Sequence, residues 1–152
     1  MQRFLLVAYQ TAESEELLWA ARALQDEDSS AEFTLLVPAT PVKHLLVWEE
    51  GETLEVARLR ANSAAERLER EGLRVSRTVV GDQDPVLAIG DEIRQHRYSA
   101  IVVSTLPAGY SRWLKMDVLS RLQRAFPRLR VIHVAATESV AVSEVDAGPG
   151  TR

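Results

Sequence analysis

The chain contains no cysteine, which excludes disulfides, thiolate metal sites and cysteine nucleophiles and fits a reducing compartment. It also lacks a long hydrophobic run. The apolar stretch within Met1–Ala8 carries Arg3 and gives way at once to Tyr9 and Gln10, too short for a signal-peptide core and far too short for a membrane span. A cytoplasmic protein with no membrane partner is therefore expected. Positive charge is not concentrated either: the net charge is -4, and 16 arginines among the 18 basic residues are scattered along helical patterns. That leaves no electrostatic footprint for nucleic acid. Glycine is sparse, at 7 residues. No GxxxxGK[ST] loop, no GxGxxG after the first apolar run and no GxSxG elbow occurs. His44, His96 and His133 share no metal-ligand spacing.

What remains is a regular alternation. Five short apolar runs, Phe4–Ala8, Phe33–Val37, Val75–Val80, Ala100–Val103 and Val131–Ala135, are separated by helical patterns. The first, second and fourth are nearly continuous in apolar residues, as strands buried on both faces of a parallel sheet are. The third alternates and suits an edge. Ser14 or Thr11 is placed to cap a first helix with Leu17, Ala21 and Leu24 inward. Leu54, Ala57, Ala61, Ala64, Ala65 and Leu68 share one face of a second, ended by Gly72. Asp84 and Pro85 open a third as N-cap and first helical residue, with Val86, Ile89 and Ile93 inward. A fourth is expected from about Trp113 to Phe126, stopped by Pro127. The pattern predicts an α/β fold: a single-domain, open, parallel five-stranded sheet with helices on both faces and right-handed crossovers. The domain spans residues 1–136, and residues 137–152 read as a flexible tail. The long Pro38–Glu52 connection, with Leu45–Trp48, reads as a cover on the sheet rim or a ligand lid.

Sheets of this kind bind ligands beyond the carboxyl ends of their strands, where strand order reverses. The candidates there are Tyr9, Gln10 and Thr11 after the first strand, Val37 after the second, and Ser104, Thr105, Pro107, Gly109, Ser111 and Arg112 after the fourth. Tyr9 can stack on a base or close the cleft; Gln10, Thr11, Ser104, Thr105 and Ser111 offer hydrogen bonds. Gly109 allows close backbone approach, and Arg112 can pair with a phosphate or carboxylate. Each has a plainer explanation: Ser104 and Thr105 satisfying strand ends, Ser111 capping a helix, Arg112 a solvated charge. Gly81-Asp82-Gln83-Asp84 is acidic, but capping already accounts for Asp84, so a metal is the weaker reading. No nucleophile with its base is apparent, and no catalytic residue is assigned.

The five-strand order, the Gly81-Asp82-Gln83-Asp84-Pro85 turn followed by Ala88 and Ile89, and the Val102-Val103-Ser104-Thr105 strand exit resemble the universal stress protein family over about Gln2 to Ala136. The resemblance implies strand order 3-2-1-4-5 in a Rossmann-like sheet of the adenine nucleotide alpha hydrolase-like kind. It further implies a crevice between the first and fourth strands, Val37 offering backbone groups to an adenine edge, ATP or another adenine nucleotide as ligand, and a homodimer through the last strand. The family's Gly-x2-Gly-x9-Gly-[Ser/Thr] motif falls on Ser104, Pro107, Asp117 and Val118, so the nucleotide motif is degenerate: Pro107 lacks an N–H, Asp117 brings negative charge, and Val118 has no hydroxyl. The family's acidic residue after the first strand is replaced in the Tyr9-Gln10 region. A dimer has its own warrant, because Val131, Ile132, Val134 and Ala135 form an uncharged edge open to pairing.

Three functions compete on these grounds. The first is a dimeric stress protein sensing a nucleotide or other small molecule. The second is an interaction module of the same fold, its cleft filled by its own Tyr9, Trp48 or Trp113. The third is a nucleotide hydrolase, which needs a base or metal cluster that the sequence does not display.

Overall fold

The computed structural model describes residues 1–39, 50–107, 111–115 and 117–136, and among these no side chain at 50–53, 112 and 115. The Leu45–Trp48 segment, His44, Gly109 and the expected tail from Thr137 lie outside the described residues. Among the described residues five strands and five helices follow one another as β1 (Arg3–Val7), α1 (Glu15–Glu27), β2 (Glu32–Pro38), α2 (Glu50–Arg70), β3 (Val75–Gly81), α3 (Pro85–Gln95), β4 (Ala100–Thr105), α4 (Arg112–Lys115), α5 (Val118–Ala125) and β5 (Val131–Ala135). All strand pairs are parallel, in the order β3-β2-β1-β4-β5. This is the order expected from the sequence resemblance, with β3 at one edge.

Continuous apolar runs occupy the middle of the sheet because helices cover both of its faces. In β1, Phe4 to Val7 are buried, and all six residues of β4 are. Phe4 and Phe33 stack in adjacent strands with ring centroids 5.7 Å apart. α2 and α3 both pack on β2 and β3, one on each face. α1 is tied to the residue just after α2 by Arg22–Glu71 at 2.7 Å, and the N-cap of α3 to α5 by Asp84–Arg121 at 2.7 Å. Ala57, Ala61, Ala64, Ala65 and Leu68 of α2 are buried, as their shared face predicts.

The helix ends follow their local chemistry. Ser14 Oγ accepts from the Leu17 N–H, and Asp84 accepts from the Val86 N–H with Pro85 at the first turn. Gly72 adopts φ +94°, the left-handed residue that ends α2.

One expectation is corrected. The sequence predicts an unbroken fourth helix from Trp113 to Phe126, whereas the chain forms the four-residue α4 and then α5. Asp117 takes φ 58° at the junction, a left-handed conformation that a short polar side chain tolerates. The apolar i,i+4 series Leu114, Val118, Leu122 continues through this joint, which is why periodicity alone conceals it. The re-aimed α5 brings Arg121 to Asp84.

Candidate functional site

Strand β1 is flanked by β2 and β4, and the chain leaves it towards one face of the sheet while it leaves β4 towards the other. A crevice opens between such exits. Val7, the last residue of β1, lies in register with Leu36 and Val103, so Tyr9–Thr11, Val37 and Ser104–Pro107 are brought to the same end of the sheet.

The two exits are joined by side chains. Thr11 Oγ1 and Ser104 Oγ are 2.5 Å apart, and both residues are buried. The turn holding Thr11 is set by the Ala12 N–H donating to Tyr9 O and the Ser14 N–H donating to Thr11 O. Thr105 faces the other way, as alternation along a strand requires. Its Oγ1 lies 2.8 Å from Leu106 O and 2.8 Å from His133 Nε2 on β5. A hydroxyl beside an imidazole suggests a nucleophile and base, a pairing that the sequence did not disclose. The one Thr105 proton has two acceptors within reach, Leu106 O and His133 Nε2, and the tautomer of His133 decides which of them takes it. Burial moves the His133 pKa below its ordinary value of 6.5.

Ser111 caps α4: its Oγ accepts from the Leu114 N–H at 3.1 Å, and its own N–H donates to Pro107 O. Pro107 is exposed, Gln10 is partly buried, and Val37 is fully buried at the end of β2. Arg112 begins α4, with its side chain outside the description, as is Gly109. Trp113 is 5% exposed and belongs to the core.

Tyr9 is 6% exposed, and the Arg60 guanidinium carbon stands 4.8 Å above its ring centroid. Burial raises the phenol's pKa above its ordinary value of 10.0, against the opposing pull of the Arg60 charge and of its N–H groups close to the phenol oxygen. Among the described residues, Tyr9 Oη and Arg60 Nε and Nη1 are buried with no hydrogen-bond partner. Arg60 was not among the residues singled out in the sequence. The signal was available, since position 60 falls between Ala57 and Ala64 on the inward stripe of α2.

The acidic turn is occupied by capping. Asp82 Oδ1 accepts from the Asp84 N–H, and Asp84 is held by Val86 and Arg121. Among the described residues, no group of three or more histidine and carboxylate side chains comes together to hold a metal, and no helix is long and apolar enough to cross a membrane.

The same architecture recurs in solved structures. A universal stress protein from Archaeoglobus fulgidus in complex with dAMP matches with a TM-score of 0.59 at 14% identity, over 88% of this chain and 97% of that one. The fold is that of the universal stress proteins. A protein of the universal stress protein family from Burkholderia pseudomallei matches with a TM-score of 0.58 at 18% identity, over 89% and 96% of the two chains. A universal stress protein in complex with cAMP matches with 0.57 at 16%, over 90% and 98%. No family model matches the chain, and no curated protein matches it in sequence. The universal stress protein fold is thus carried here by a sequence only 14–18% identical to these three.

Proposed function

We propose that this chain is a universal stress protein-like binding protein that takes an adenine nucleotide, or a small molecule of that class, in the crevice between β1 and β4. The observation that carries the reading is the meeting of Thr11 and Ser104 at the strand-order switch point, in a fold whose solved relatives include complexes with dAMP and cAMP. Val37, at the end of β2, is the candidate for main-chain contacts to a base. Gln10, Thr11 and Ser104 supply polar groups around it, while Thr105, expected among them from the sequence, turns its hydroxyl to His133 on β5. With the glycine motif degenerate at Ser104, Pro107, Asp117 and Val118, phosphate recognition falls to Gly109 and Arg112, and Ser111 sets the start of α4 that carries Arg112.

The protein acts as a homodimer through β5 in this proposal. Among the described residues β5 pairs with β4 alone, and Val131, Ile132 and Val134 are partly buried. Sedimentation at micromolar concentration is expected to give twice the 16.9 kDa chain mass; a monomer mass would overturn this part.

The test of binding is a thermal-shift titration with ATP, ADP, AMP and cyclic nucleotides, with and without magnesium. Ligand at about 100 times its dissociation constant stabilises by roughly 2.7 kcal/mol, about 5–10 °C for a chain of this size. A saturable shift that is lost in Arg112→Ala supports the reading. A second reading, an interaction module with a self-filled cleft, is favoured by the burial of Tyr9 and Trp113. A flat response up to millimolar nucleotide would make it the better one.

A further inference from the structure

α2 presents to the sheet a face of small residues, Ala57, Ala61 and Ala64, all buried. Arg60 lies on that face, three residues after Ala57 and four before Ala64. An arginine directed inward from a helix is ordinarily matched by a carboxylate, because burying a guanidinium without an acceptor is costly. Here Arg60 is instead laid over the ring of Tyr9, its Cζ 4.8 Å from the centroid. Its Nε and Nη1 are buried with no acceptor among the described residues, and the buried Tyr9 Oη is in the same condition.

The acid nearest in sequence to Tyr9 does not supply the acceptor. The Glu13 carboxylate is held by Ser63 Oγ at 2.9 Å, and Glu13 O accepts from Arg67. The neighbourhood therefore adds a second arginine, with the one carboxylate of the β1–α1 turn already engaged. The unmet groups share one chemistry. Arg60 Nε–H and Nη1–H can only donate, the guanidinium does not lose its charge, and the phenol, protonated at neutral pH, has an O–H to give. What complements unmet N–H donors on a positive group, with a phenol O–H beside them, is an oxyanion, which a guanidinium grips along either edge through two parallel N–H groups, Nε with Nη2 or Nη1 with Nη2.

We propose that Tyr9 and Arg60 form a binding site for the phosphate or carboxylate group of an acidic small molecule, on the α2 side of the β1 exit and apart from the loop after β4. The Tyr9 ring lies against the guanidinium and holds it in place. This site goes beyond the nucleotide reading and does not depend on it, since the group recognised is the anion and not a base.

The test uses inorganic phosphate and succinate in separate calorimetric titrations of the full chain, at ionic strength fixed with sodium chloride. Wild type, Arg60→Gln, Arg60→Lys and Tyr9→Phe are compared. The expected result is saturable binding of at least one probe, weakened at least about tenfold in Arg60→Gln and several-fold in Tyr9→Phe. Arg60→Lys keeps the charge without the fork and should fall between them and wild type. Binding of phosphate alone assigns a phosphate group, and of succinate alone a carboxylate. Should Arg60→Gln fail to fold, Arg60→Lys and Tyr9→Phe carry the comparison. No saturable binding of either probe to wild type would overturn the proposal, as would affinities unchanged by these substitutions. Neither probe contains a base or a sugar, so a flat nucleotide panel would sink the nucleotide reading and leave this outcome separate.

Discussion

Tyr98 Oη donates to Glu92 Oε2 at 2.6 Å, placing a phenol from the α3–β4 connection against a carboxylate whose side chain is 6% exposed. Arg77 of β3 donates to both oxygens of the same carboxylate at 3.0 and 3.1 Å, and Thr34 Oγ1 of β2 lies 3.1 Å from Tyr98 Oη. The carboxylate can only accept, so the phenol's one proton goes to Glu92. A charge brought into the sheet's flank is thereby satisfied from two directions, and the network joins β2, β3, α3 and the start of β4.

The network predicts an alkaline weakness. Burial raises the pKa of Tyr98 above 10.0, and its hydrogen bond to Glu92 raises it further. A group whose folded pKa is raised gives stability that is fully present below the unfolded value and lost as pH rises through the folded one. Tyr98→Phe should therefore cost about 1.5–3 kcal/mol at neutral pH, the worth of a hydrogen bond to a charged group, and flatten the decline above about pH 10. Urea melts from pH 7 to 11 measure both. A variant as stable as wild type at pH 7, with the same alkaline slope, would show that the contact carries no free energy.

Asp84 performs two tasks that substitutions separate. Burial alone would raise its pKa, but hydrogen bonds from Arg121 and the Val86 N–H, with the Arg121 charge, outweigh it and hold the carboxyl below its ordinary 3.8. The sign is that of a depressed acid: stability is present above the unfolded pKa and lost as pH falls through the folded one. Asp84→Asn keeps a capping oxygen and gives up the charge, so its loss should be below about 1 kcal/mol for a partly exposed pair. Asp84→Ala loses the cap as well and should cost about 0.5–2 kcal/mol more. Melts at pH 7 and pH 3 check the order, and the gap between wild type and Asp84→Asn should narrow at the lower pH.

How much of this was legible depended on the range of the interaction. β1, β2 and β4 were readable because residues such as Leu5, Leu35 and Ile101 sit in runs that only a doubly covered sheet buries. Ser14, Gly72 and Asp84-Pro85 marked helix ends through chemistry completed within a few residues. The break at Asp117 was hidden, since Leu114, Val118 and Leu122 keep helical spacing across it. Partnerships across the fold were hidden for a different reason. Arg77 and Glu92 are 15 residues apart and Thr11 and Ser104 are 93 apart, and nothing in either local segment names the other. Thr11 and Ser104 were found as site candidates only because strand order places their loops together, and their direct contact was not foreseen. Arg60 lay in plain view on an alanine stripe, where its charge contradicts its position.

Gly81 ends β3 where α3 passes over it. A Cβ there would stand 2.8 Å from Ala88 Cβ, which is fixed to the helix backbone, and 3.0 Å from Leu36 Cδ1, a methyl closely surrounded in the core. Gly81→Ala should therefore destabilise by about 1–3 kcal/mol through overpacking. Combining it with Ala88→Gly removes the closer clash and should recover part of the loss despite the helix cost of glycine. Thermal melts of the two variants decide it: no loss in Gly81→Ala would mean that α3 shifts freely away from the strand.

The bond between Thr11 and Ser104 holds the β1 exit against β4, and its energy can be isolated. Both hydroxyls are buried, so Ser104→Ala leaves Thr11 Oγ1 without its partner and Thr11→Val does the same to Ser104, each at about 1–3 kcal/mol. Removing both leaves no orphan. The double variant should be less destabilised than the sum of the singles by about 1 kcal/mol or more, the coupling expected of groups in direct contact. Additivity within about 0.5 kcal/mol would show that each hydroxyl finds another partner when its mate is gone. The crevice would then be set by backbone pairing of β1 with β4 and not by this contact.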